Sequence, residues 1–349
     1  MALGQYTTQL TFNLNKEIGQ EGKNSQVFIA HDIQFDDNIV IKRINKEDFK
    51  KDGEFYKETK LLFASAHSNV VKVFYGCSDD NYVYIAMPYY ERGSLKSLSE
   101  KGNLTIREII RYAIQFLSGL HNIHSKGLIH FDVKPDNILI SNANEAHLSD
   151  FGLAKAMNIL GHANPEAAYS KHIPPEFYEM VDKTHHFDIY SAGVTLYRLL
   201  NGEELFNKQF YSYNSRESRQ KAILAGQFPD RTSYLPHIPQ KLRTIVNKAM
   251  SVNISDRYDS VLSLMNDLGE VGENLDWKYS EEGSVHTWEK TSGNYLYKIQ
   301  ANLQDTKNVS MFTTRTNMLL NKTVKQSQYC HNNLTSSNVL NKIKQALKL

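Results

Sequence analysis

Near residue 100 the spacing of apolar residues changes from a period of two to a period of about 3.6, which calls for a β-rich part followed by a helical one. Up to Met87, short apolar runs divided by turns read as strands: TFNLNKEIG, QVFIA, NIVIKRI, VVKVFYG and YVYIAM. One helix, about Glu54 to Phe63, is expected among them. After Pro88 and the polar ERGS, Thr105 and Glu108 make a capping-box pattern. Ile109, Ile110, Ala113, Phe116, Leu117 and Leu120 then repeat at helical spacing. Alternation returns after residue 275. WKYSEEGSVHTWEKTSGNYLYKIQANL reads as two antiparallel strands around TSGN, with Tyr295, Tyr297 and Ile299 on one face. VSMFTTRTNML reads as a further strand, and SSNVLNKIKQALKL as a short helix behind a Ser cap, with Val339, Leu340, Ile343, Ala346 and Leu347 inward. The expected class is α+β: a β-rich lobe (12–87), a connection and helical lobe (88–274), and a small β-rich module ending in a helix (275–349). A cleft between the first two is the expected place for a ligand.

Composition excludes several alternatives. With 349 residues and 41% hydrophobic content, the chain can bury a sizeable core. Two cysteines, Cys77 and Cys330, make no disulfide framework, and a reducing compartment, the cytoplasm, is expected. MALGQYTTQL lacks a basic start followed by an apolar run, and IYSAGVTLYRLL is too short to span a bilayer, so no membrane partner is expected. Neither cysteines nor histidines show zinc-ligand spacing. Net charge is +2, but from Asp276 onward ten Lys and Arg face five Asp and Glu. With aromatic residues interleaved, that balance suits an acidic partner or nucleic acid, or else an ordinary solvated face.

The segment HFDVKPDNILI, residues 130–140, sets four polar side chains into an apolar run, where each needs a partner or a task. Upstream, IGQEGKNSQVF places Gly19, Gly22 and Ser25 between two strands; small residues let backbone amides approach phosphate oxygens, although such a turn can be a plain hairpin. Lys42 ends IVIK on the same face as Val40; a lone strand lysine is otherwise an edge residue.

Taken in order, these features continue through Glu58, His130-Phe-Asp132-Val-Lys134-Pro-Asp-Asn137, Asp150-Phe-Gly152, Pro174-Pro-Glu176 and Asp188-Ile-Tyr-Ser-Ala-Gly193. The series resembles the catalytic domain of protein kinases of the Ser/Thr type over residues 12 to 272. The resemblance implies a bilobal fold, ATP and Mg²⁺ as cofactors, and a protein substrate with a Ser or Thr acceptor. It implies that Asp132 accepts the hydroxyl proton, Lys134 neutralises the γ-phosphate, and Asn137 and Asp150 hold the metal. Lys42 is implied to hold the α- and β-phosphates, set by Glu58 with Glu54 as the fallback. Gly19, Gly22 and Ser25 cover the phosphates. Val27, Val40 and Leu139 sandwich adenine, Pro88 offers a carbonyl and Tyr90 an amide from the hinge, and Met87 guards the back of the pocket.

Two departures bear on these roles. The glycine loop carries one extra residue between its first two glycines, with Ser25 in the last position. Phe131 stands where many kinases carry Arg, which implies a non-RD enzyme less dependent on phosphorylation of Tyr169 or Ser170 in the activation segment. Glu176 and Arg257 match the pair that ties that segment to the lobe, and Asp188 is expected to accept from backbone amides near the catalytic loop. Lys134, two residues after Asp132, favours Ser/Thr over Tyr acceptors. The alternatives are a nucleotide-binding pseudokinase or scaffold, which normally loses Lys42, Asp132 or Asp150, and a small-molecule phosphotransferase, which typically lacks the later motifs.

Overall fold

The computed structural model describes residues 10–19, 25–48, 60, 63–102, 104–158, 160–165, 169–179, 181–303 and 309–349. The expected helix around Glu54 lies almost wholly outside the described residues, as do Gly22 and Glu58. The first part is a five-stranded antiparallel sheet of β1 (Phe12–Gly19), β2 (Ser25–Asp32), β3 (Asp37–Asn45), β4 (Tyr75–Ser78) and β5 (Tyr82–Pro88), in the order β1-β2-β3-β5-β4. Alternation along β3 buries Ile39 and Ile41 with Ala30 and Ala86 on one face and aims Val40 and Lys42 at the other. The run VVKVFYG is only half a strand. Val70 and Val71 are buried against the helical part, where Val71 N–H donates to the Leu148 carbonyl at 2.9 Å, and pairing within the sheet begins at Tyr75.

After the short helix α1 (Leu95–Glu100), α2 (Ile106–Ser125) begins with the expected capping box: Thr105 Oγ1 accepts from Glu108 N–H at 3.1 Å, and Glu108 Oε2 accepts from Thr105 N–H at 2.9 Å. Two small ribbons follow, β6 (Leu128–Ile129) with β9 (Lys155–Ala156), and β7 (Ile138–Ile140) with β8 (Ala146–Leu148). Helix α3 (His186–Asn201) is buried from Phe187 to its end, so it has no solvated stripe. Its Gly193 meets the chain at Ala249 and Met250 so closely that an added Cβ would lie 2.7 Å from Met250 Cγ. Around it lie α4 (Glu203–Tyr211), α5 (Arg216–Leu224), α6 (Gln240–Ala249) and α7 (Val261–Gly269), sharing one core with α2. Among the described residues no helix is long and apolar enough to cross a membrane.

The last part is an antiparallel sheet of β10 (Lys278–Glu282), β11 (Val285–Ser292), β12 (Tyr295–Asn302), β13 (Val309–Asn317), β14 (Lys322–Lys325) and β15 (His331–Leu334), the last also paired to β13. The β11–β12 hairpin turns at TSGN with Ser292 opposite Tyr295. Helix α8 (Ser336–Ala346) covers one face, packing Val339, Ile343, Ala346 and Leu347 on Trp277, Trp288, Ile299 and Met311. Two expectations change here. Leu340 is exposed, and the residue at the cap position is Thr335. The helix face that meets the flat sheet is narrower than the apolar arc in the sequence. The sheet joins the helical part through Trp288 Nε1–H donating to His237 Nδ1 at 3.2 Å, and through Arg107, whose Nε and Nη2 donate to Asp276 at 2.5 and 3.0 Å.

Candidate functional site

A cleft of about 480 Å³ separates the first sheet from the helical part. Ser25, Val27, Val40, Lys42, Met87, Pro88, Tyr90, Asn137, Leu139 and Asp150 all line it. Gly19 closes β1 just after the lining residue Ile18. Sequence reasoning missed Ile18, Val71, Tyr89, Glu91, Gly93, Ser94, Asp136 and Ser149, which also line the cleft. A larger cavity of about 730 Å³, between Arg107 and Lys348, contains none of the expected site residues, so size alone does not locate the chemistry.

The catalytic loop is held from below by one carboxylate. Asp188 on α3 accepts from the backbone N–H of His130 and of Phe131, both at 2.8 Å, and lies 2.8 Å from His124 Nε2. Burial disfavours its charge, yet the bonds from His124 and His130 keep its carboxyl below the ordinary range. These bonds hold Phe131 at φ +65°, a conformation that a bulky residue rarely adopts. His130 is fully buried: its Nδ1 accepts from Asp132 N–H at 3.2 Å, so Nε2 carries the proton and donates to the Ser149 carbonyl at 3.1 Å. His130 is thus a scaffold between the loop and the strand before Asp150.

The turn places Asp132, Lys134 and Asn137 together. Asn137 Nδ2 donates to Asp132 Oδ2 at 2.8 Å and to its backbone carbonyl at 2.9 Å, while Lys134 Nζ lies 3.0 Å from the same Oδ2. The other oxygen, Asp132 Oδ1, is buried and has no partner among the described residues. An unpaired buried carboxylate oxygen is costly, and a hydroxyl donor would satisfy it. Above Lys134 lies the Tyr169 ring, 4.5 Å from Nζ to centroid, so the activation segment touches the catalytic loop.

Across the cleft, Lys42 Nζ donates to Asp150 Oδ1 at 2.9 Å. The ammonium holds the Asp150 carboxyl well below the usual carboxylate range. Asp150 sits at φ +61° with its side chain partly open to the cleft, and Phe151 packs edge-on to His130 at 5.0 Å. Asp150 and Asn137 offer one carboxylate and one amide oxygen, a hard donor pair. Such a pair fits a small divalent cation that keeps water and substrate phosphate as its other ligands. No cluster of three or more His, Cys, Asp or Glu suited to a metal occurs among the described residues, so the cleft provides no all-protein metal cage.

A second buried network anchors the activation segment. His172 Nδ1–H donates to the Val133 carbonyl at 2.9 Å, and Arg198 Nη1 donates to His172 Nε2 at 2.8 Å. Burial, reinforced by Arg198, keeps this imidazole neutral. Arg198 also donates to Glu203 and approaches Asp136 at 3.6 Å. Further on, Arg257 Nη1 and Nη2 donate to the two Glu176 oxygens at 2.8 and 2.7 Å in a buried fork.

The protein kinase domain family matches residues 12–267 of the chain. Among similar proteins, the probable serine/threonine-protein kinase PknB of Lactococcus lactis is 28% identical over 264 residues, covering 74% of this chain and 41% of that protein. The serine/threonine-protein kinase PrkC of Bacillus subtilis is 28% identical over 254 residues, covering 71% and 38%, respectively. A probable serine/threonine-protein kinase of Clostridium perfringens, CPE1738, is 30% identical over 259 residues, covering 72% and 37%. The chain spans about two fifths of the length of these relatives. Sequence order, cleft geometry and this match agree: the chain belongs to the protein kinase family.

Proposed function

We propose that the chain transfers the γ-phosphate of ATP, with Mg²⁺, to Ser or Thr hydroxyls of protein substrates in the cytoplasm, as a non-RD kinase. The observation that carries this reading is the unequal use of the two Asp132 oxygens. Asn137 and Lys134 fix Oδ2, and Oδ1 is left as an acceptor. In the reaction the acceptor oxygen forms a bond to the γ-phosphorus, the bond to the β–γ bridging oxygen breaks, ADP leaves, and Asp132 takes the hydroxyl proton. Lys134 offsets charge on the transferred group, and Lys42 holds the α- and β-phosphates. Asp150 and Asn137 would hold Mg²⁺, which when bound neutralises phosphate charge. Val27, Val40 and Leu139 supply apolar surface to adenine, Pro88 and Tyr90 the hinge contacts, Met87 the back wall, and Gly19 and Ser25 the start and end of the phosphate loop. We assign 12–87 and 88–274 as the two lobes and 275–349 as an accessory module.

The Lys42–Asp150 pair in the cleft, with Asp132 bonded to the cleft-lining Asn137, weighs against a scaffold that only binds nucleotide. The test is incubation of the full chain with radiolabelled ATP and Mg²⁺, followed by phosphoamino-acid separation. Phosphoserine or phosphothreonine is expected, falling by about 10²–10⁴-fold in Asp132→Asn with nucleotide binding retained. Lys42→Ala and Asp150→Ala are expected to abolish transfer in a folded protein. Transfer at the unmodified rate in Asp132→Asn would sink the assignment.

A further inference from the structure

The tip of the β13–β14 hairpin reads Asn317-Met-Leu-Leu-Asn321, and it presents Met318, Leu319 and Leu320 to solvent with exposures of 47, 75 and 72%. Three consecutive exposed apolar residues are unusual on a folded surface and call for an occupant. The tip is fastened in that shape. Asn317 Oδ1 accepts from the backbone N–H of Leu319 and Leu320 at 3.0 and 3.1 Å, and Met318 N–H donates to the Asn294 carbonyl in the neighbouring β11–β12 turn at 2.9 Å. Val324, 43% exposed, and Tyr295, 36% exposed, extend the apolar surface behind it.

The charge around this knuckle has one sign. Lys322, Lys325 and Arg315 surround it, with Lys325 Nζ 4.9 Å from the Phe312 ring and the Arg315 guanidinium 4.9 Å from the Tyr295 ring. None of the three has a carboxylate partner among the described residues. After Glu289 the sequence has a single acidic residue, Asp305, against nine Lys and Arg. A protruding apolar point inside a basic collar differs from the concave pocket that receives a peptide. It matches a flat boundary that is apolar within and anionic at its rim.

We propose that this end of the sheet docks on an anionic lipid surface, with Met318, Leu319 and Leu320 entering the headgroup boundary and Arg315, Lys322 and Lys325 lying on the headgroups. The contact is peripheral and requires no spanning helix. It is independent of the phosphotransfer reading. Both parts are needed, because a small apolar anchor binds reversibly and each cation near an anionic surface adds about fivefold.

The test is co-sedimentation of the full chain with vesicles of phosphatidylcholine alone or mixed with phosphatidylglycerol. Binding is expected to the mixed vesicles and to weaken as salt is raised. Leu319→Ser with Leu320→Ser is expected to weaken it by more than about tenfold, and Lys322→Gln or Lys325→Gln by about fivefold each. Far-UV circular dichroism and kinase activity are expected to stay unchanged, because the substituted side chains are exposed and none of them lines the cleft. Wild-type protein that ignores mixed vesicles, or binds equally well with both leucines replaced, overturns the proposal. So does a dimer in light scattering that the leucine substitutions dissolve, or binding of single-stranded DNA by a protein that leaves the vesicles in solution.

Discussion

Phe131 stacks edge-on against Phe187, with ring centroids 5.0 Å apart and planes at 77°. This pair, with Ile129, forms a buried cluster that also receives Leu153, Met157, Ala163 and Phe177. Apolar packing therefore joins the loop around Asp132 to the segment after Asp150, which supports the proposed non-RD reading. Tyr169→Phe and Ser170→Ala are expected to retain transfer within about threefold of the unmodified chain, measured by initial rates. Phe131→Ala is expected to cost about 3–5 kcal/mol in urea unfolding.

Asp188→Ala leaves the N–H groups of His130 and Phe131 buried without an acceptor. Each orphaned donor costs about 1–3 kcal/mol. The catalytic loop then loses the support for its φ +65° residue. The expected result is a fall in kcat with little change in the KM for ATP, because Val27, Val40 and Leu139, proposed to face adenine, do not contact Asp188. Steady-state kinetics at varied ATP would show it.

Arg257→Ala strands the Glu176 carboxylate in a site where both side chains are nearly inaccessible. Such a loss costs about 3–5 kcal/mol. The double variant Glu176→Gln with Arg257→Met is expected to recover part of it, since no charge is then left alone. Thermal melts of the three proteins provide the comparison.

His237 gives the joint between the helical part and the last sheet a pH dependence. Burial pushes its imidazole down to about 4 from the ordinary 6.5. In the unfolded chain it protonates near the ordinary value, so its contribution is complete above pH 6.5 and is lost as pH falls toward 4. The displacement corresponds to about 3 kcal/mol. Both tryptophans, Trp277 and Trp288, lie in the last part, so fluorescence-monitored melting at pH 7.5 and pH 5 reads this joint directly. His237→Gln is expected to flatten the difference between the two melts.

The cleft residues were legible in proportion to how badly they fit an ordinary core. His130, Asp132, Lys134 and Asn137 interrupt an apolar run and could be singled out by cost alone, and Lys42 followed from alternation with Val40. Ile18, Val71 and Tyr89 could not, because an apolar or aromatic residue at a strand end looks the same whether it faces a ligand or a neighbour. The His172–Arg198–Glu203 network left no local signal; its members become partners only when α3 passes beneath the loop. Phe131 was visible as a substitution, but its partner Phe187 lies 56 positions away in an unrelated apolar stretch. The last hairpins were readable from alternation, whereas the outward turn of Leu340 depended on the width of the sheet surface beneath the helix.

Lys42 and Asp150 are 108 positions apart and belong to opposite walls of the cleft. Parting those walls means pulling an ammonium from a counter-ion that is partly open to the cleft, so solvent screens part of the cost. A triphosphate sliding in offers the ammonium a replacement anion, and a cation beside the carboxylate does the same for its partner. On the proposed reading, nucleotide entry exchanges the Lys42–Asp150 pair for contacts to phosphate and cation.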